Sequence, residues 1–168
     1  MTPDDIFAAR VRVAKLGLHI CFTLPLGLFV LALLARAKLP FLASPIATDD
    51  NAKIVGYAFI AVAVIDAVSG FILKRRLINA ATLMSRFSFH PNSFSRQLAV
   101  AFVPIFIVCA MPAIYGIIFY FLGGDLDTYV LISIISPAAF LLLKPKEEEL
   151  ERLANEIFKP SDDADIRL

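Results

Sequence analysis

Asp66 is a carboxylate inside an otherwise apolar run, and that placement restricts its chemistry. In a hydrocarbon environment such a group costs ~2.5–3.5 kcal/mol on insertion scales, so it faces a protein interior with a polar partner or carries a proton or ion. Its depth, ~10 Å from the nearer basic flank at ~1.5 Å per residue, is matched on other apolar runs by Thr23 and Ser136. Ser69 lies one turn from Asp66 and His19 one turn from Thr23. Asp66, Thr23, Ser136, His19 and Ser69 therefore form the candidate intramembrane polar site. A His19–Asp66 pair would make a proton relay.

Prolines mark the same layer. Pro25, Pro104 and Pro137 fall within about two residues of the Asp66 level, one on each of the other three runs. Each lacks a backbone donor and frees a carbonyl one turn earlier, which predicts kinked helices with spare acceptors. Broken helices around a midplane ionisable group are how transporters build ion and substrate sites. The alternative is structural: proline is common in membrane helices, and Asp66 is tied to Ser69, Thr23 or Ser136.

The elements that must position these residues are four apolar runs, at residues 16–34, 54–73, 98–122 and 126–143. Each approaches the ~20 residues that a helix needs to cross a bilayer. A hydrophobic share of 59% agrees, since soluble domains hold ~45–50%. Thirteen of the 16 Lys and Arg lie in the N-terminal segment, the connection after the second run and the C-terminal tail. Only Arg36, Lys38 and Lys53 lie on the other side. This asymmetry predicts both termini in the cytoplasm of a bacterial inner membrane.

The expected fold is all-α: four transmembrane helices in an antiparallel bundle over residues 1–145, then a cytoplasmic amphipathic helix and tail over 146–168. Thr2-Pro3-Asp4-Asp5 has the form of a helix start. Ala35-Arg36-Ala37 resembles a signal-peptidase site, but the apolar stretch before it exceeds the usual core of about 7–15 residues, so the first span is expected to be retained. The second helix is expected to continue past Lys74-Arg75-Arg76 until Phe89-His90-Pro91-Asn92 breaks it. Residues 44–51 read as an external loop, and Gly123-Gly124-Asp125 as a tight turn.

In the tail, Leu150, Leu153, Ala154, Ile157 and Phe158 share one helical face. Its acidic balance disfavours an anionic leaflet. The face either packs on the basic extension of the second helix or docks on another subunit; Leu150, Leu153, Ile157 and Phe158 are the candidate docking residues.

Enzyme chemistry has no support. No nucleophile–base set, paired carboxylates or phosphate loop is present, so no catalytic, cofactor or metal residue is assigned. A bis-histidine haem would need His90, which is outside the runs. Cys21 and Cys109 lie within apolar runs and read as small buried hydrophobes. A net charge of +1 leaves no basic excess for nucleic acid.

Ala113-Ile114-Tyr115-Gly116 resembles the second hairpin helix of rotary-ATPase proteolipid subunits. The sequence departs from that family where its ion-carrying carboxylate would stand, near Ala110, so the likeness carries no function over. The remaining partners are the lipid bilayer and other membrane-protein subunits or further copies of the chain. The expected function is that of a non-enzymatic accessory subunit, with an Asp66-centred ion or proton translocator as the alternative.

Overall fold

The computed structural model describes residues 3–38, 49–87 and 93–158, and their regular elements are all helical. Among the described residues four stretches are helical, long and apolar enough to cross a membrane: Asp4–Ala35, Lys53–Leu77, Phe94–Phe121 and Leu126–Leu143. They belong to helices one to four, which run over 3–38, Asp49–Leu77, Phe94–Phe121 and Leu126–Leu143. A tail helix, Glu147–Phe158, follows. Helix one begins at Pro3 with Asp4 and Asp5 in its first turn, where acids complement the positive end of the helix dipole.

Helices three and four are the packed centre. Phe106 meets Phe140, and Tyr120 meets Tyr129, in antiparallel order with ring centroids 5.7 and 5.5 Å apart. Gly116 permits the approach: a Cβ there would lie 2.5 Å from the Ser133 hydroxyl and 3.1 Å from the Tyr129 ring. Helix one packs on this pair, with Gly17 against the Phe140 and Phe106 rings and Phe29 stacked on Tyr129 at 5.4 Å. Helix two packs on the same pair elsewhere, through Gly56 on Phe119 and Thr128, and Gly70 on Leu143 and Cys109. Among the described residues helices one and two make at most marginal contact with each other.

The prolines act differently from the sequence expectation. Helices three and four run unbroken through Pro104, Pro112 and Pro137; packed neighbours can compensate for missing backbone donors in such helices. Among the described residues only helix one deviates. It widens into a π-helical turn, His19–Thr23, in which the Leu24 N–H reaches back to the His19 carbonyl. Pro25 follows, without an N–H for the Cys21 carbonyl one turn earlier.

Helix two also departs from expectation, ending at Leu77 rather than running on. Asn79 is extended and accepts the Thr82 N–H at 2.8 Å, capping a separate helix, Ala80–Arg86. A short amide side chain favours such a cap over helix interior. The expected break at Phe89–Asn92 lies outside the described residues. The expected external loop is shortened, because helix two already begins at Asp49; residues 39–48 are also outside the description. At the next turn Gly123 has φ 94°, a conformation suited to glycine.

The tail resolves against a free docking face. Leu150, Leu153 and Ile157 are buried with Ala154 in the same apolar cluster as Ala9, Val13, Leu83 and Leu98. Phe158 meets Phe94 edge-on at 5.7 Å. Glu147 pairs with Arg10 on helix one, and Glu149 with Lys74 on helix two at 2.7 Å. The proposed docking residues are thus covered by the chain itself, because the acidic helix finds its basic and apolar complements on the ends of its own long helices.

Candidate functional site

Asp66 stands ~12 Å along the helix axis from Lys74 and ~20 Å from Lys53, close to the middle of helix two. Its Oδ2 accepts a hydrogen bond from the Tyr115 hydroxyl of helix three at 2.6 Å. That is the short distance typical of a hydroxyl bound to a carboxylate. The Tyr115 ring lies 6.2 Å from Phe59, and Phe59 is 6.2 Å from Phe119, so an aromatic wall flanks the pair on one side. Both Asp66 and Tyr115 remain partly exposed. Among the described residues the carboxylate has no second hydrogen-bond partner.

The other candidate residues are distributed differently. Ser136 is fully buried, and its hydroxyl donates to the Cys21 carbonyl of helix one at 3.4 Å. This is the carbonyl left free by Pro25. Cys21 Sγ in turn donates to the Phe106 carbonyl of helix three at 3.6 Å. These contacts form a neutral, sealed seam between helix one and the central pair.

Thr23 is exposed and lines an apolar groove between helices one and four. His19 is also exposed; its Nδ1–H donates to the Lys15 carbonyl of its own helix at 2.7 Å. Ser69 is exposed on helix two. The structure therefore does not gather the other four candidates around the Asp66 carboxylate, and that carboxylate and the Ser136–Cys21 pair lie in different seams. Tyr115 is the partner that depth counting missed. Its phenol was a polar group in plain view within the third run, but its backbone lies well above the counted level.

What the site can do is limited by its chemistry. A carboxylate and a phenol can share or exchange a proton, but they supply no nucleophile–base–oxyanion set. No group of three or more potential metal ligands occurs among the described residues. Comparison with family models, curated proteins and solved structures gives no match.

Proposed function

We propose that the chain is an integral membrane protein, with both termini in the cytoplasm of a bacterial inner membrane, which serves as a non-enzymatic subunit of a larger membrane assembly. Its partners are other membrane-protein subunits or further copies of itself. The observation that carries this reading is Asp66: a mid-span carboxylate, partly exposed, with Tyr115 as its hydrogen-bond partner. A carboxylate at that depth normally faces protein or a water-filled cavity rather than acyl chains. Cover from another polypeptide beside helices two and three supplies what this chain does not.

The short Tyr115–Asp66 hydrogen bond also favours a second reading, an ion- or proton-coupled translocator. Weighing against it, the remaining polar residues are split between a sealed seam and outward faces rather than arranged in series.

The test is native mass spectrometry of the full chain purified from its own membranes in mild detergent. Stable larger species that disappear in Asp66→Leu but persist in Asp66→Asn support assembly, because the amide keeps the hydrogen bonding. Monomeric wild type that moves protons into liposomes, with flux abolished in Asp66→Asn, overturns assembly and supports the translocator.

A further inference from the structure

Helices one and four enclose an open groove of about 530 Å³. Leu18, Phe22, Leu26 and Phe29 form one wall, and Val130 and Ile134 stand on the other. The π-helical turn lies along this groove. Below Leu18, on the same face of helix one, a second depression is lined by Phe7, Ala8, Val11, Arg12 and Lys15, with no carboxylate. Positions 8, 11, 15, 18 and 22 succeed one another at helical three- and four-residue steps, so the two depressions form one track.

We propose that this track binds one anionic glycerophospholipid, with an acyl chain in the groove and its phosphate at Lys15 and Arg12. Three observations select that occupant. The groove from Leu18 to Phe29 is ~16 Å long, which matches the ~15 Å depth of one hydrocarbon leaflet. At its Leu18 end the groove meets the depression that carries Arg12 and Lys15, where a headgroup belongs. Arg12 is held in place by donating to Ser95 Oγ of helix three at 2.9 Å, and a guanidinium has five N–H donors, so others remain for phosphate. The lipid belongs to the leaflet on the basic side, and the anionic cytoplasmic leaflet has the complementary charge.

The test titrates the delipidated full-length protein in detergent with dioleoyl phosphatidylglycerol or dioleoyl phosphatidylcholine, counting bound lipid by native mass spectrometry. Phosphatidylglycerol is expected to bind more tightly by about fivefold for each basic residue engaged. Lys15→Glu should weaken phosphatidylglycerol more than phosphatidylcholine and so remove most of that preference. Leu26→Trp, at an exposed position, should fill the groove and weaken both lipids. Val130→Trp on the facing wall repeats this test if the first variant does not fold.

Equal binding of the two lipids with a silent Lys15→Glu overturns the headgroup assignment. Unchanged lipid binding in folded groove-filling variants overturns the acyl assignment. Competition by inorganic phosphate as effective as that by the whole lipid reduces the site to an anion patch and overturns the proposal. A dimer that survives saturating lipid but is lost on filling the groove identifies a second copy as the occupant, and also overturns it.

Discussion

The two seams on which helices one and two meet the central pair handle polar groups in opposite ways. In the helix-one seam a proline creates a spare carbonyl, and a buried serine bonds it. The polar groups there are neutral and enclosed by packing, with Gly17 letting the Phe106 and Phe140 rings close over the backbone. In the helix-two seam the polar group is ionisable, partly open and bonded to Tyr115. The first arrangement is self-contained, whereas the second leaves a partly exposed carboxylate in mid-helix with one hydrogen-bond partner among the described residues. Polar residues within a span therefore do not by themselves mark a site; a fully satisfied one such as Ser136 is accounted for by packing alone.

The largest expected effect comes from loosening both seams together. The tail helix pairs with helix one through Glu147 and with helix two through Glu149, and Leu150 beneath them is fully buried. Leu150→Ala should destabilise the protein by about 2–5 kcal/mol, the usual range for deleting a buried leucine side chain. Detergent-denaturant unfolding measures the loss; an unchanged midpoint would detach the tail from the account of both seams.

A more selective effect belongs to the helix-one seam. Gly17→Leu should destabilise by about 1–3 kcal/mol through overpacking, because a Cβ at Gly17 already meets the Phe140 and Phe106 rings. Gly27 on the same helix has open space where its Cβ would be. Gly27→Leu should be neutral, or stabilising by up to about 1 kcal/mol through helix propensity. Equal effects at the two glycines would contradict the close packing assigned to one and the open space assigned to the other.

Smaller still are the hydroxyl deletions, which differ in kind. Ser136→Ala should lower stability by ~0.6 kcal/mol, an average value for membrane-interior hydrogen bonds, and leave assembly untouched. Tyr115→Phe should have a comparable effect on the isolated chain but should also alter the population of larger species. Unfolding and native mass spectrometry on the same samples separate these outcomes. An assembly defect in Ser136→Ala with none in Tyr115→Phe would reverse the roles of the seams.

The span pattern and the tail stripe were legible because each is a periodic property of local sequence: the four runs meet the four long helices, and Leu150 to Phe158 do form one face. Asp66 was legible as a residue needing a partner. The partner was not, because depth along a backbone does not say how far a side chain reaches. In the antiparallel helix pair, Asp66 and Tyr115 lean toward the N-termini of their own helices and so toward each other; the long phenol closes the remaining gap. A short connection does not make His19 a neighbour of Asp66, because helices one and two make at most marginal contact among the described residues. Ten residues can extend ~33 Å, enough to pass another helix ~10 Å in diameter.

The finest distinction uses Asp125 as a reference carboxylate outside the spans. It caps helix four by accepting the Thr128 N–H at 2.7 Å. Burial alone would raise its pKa, but the backbone and side-chain hydrogen bonds with Thr128, with smaller backbone contributions, outweigh this and hold the carboxyl below its ordinary value of 3.8. A depressed folded-state pKa means that the Asp125 contribution is fully present above the unfolded value and is lost as the pH falls through the folded one. Its titration therefore lies on the acid side, at and below the ordinary carboxylate range. Asp125→Asn keeps the cap, since asparagine serves as well there, and should remove this acid-side loss with little change in stability at neutral pH. Unfolding measured from pH 3 to pH 7 checks the pair. Any pH dependence of assembly that survives in Asp125→Asn but vanishes in Asp66→Asn then belongs to the helix-two seam. If both variants leave that dependence intact, the open carboxylate is not what couples this protein to its surroundings.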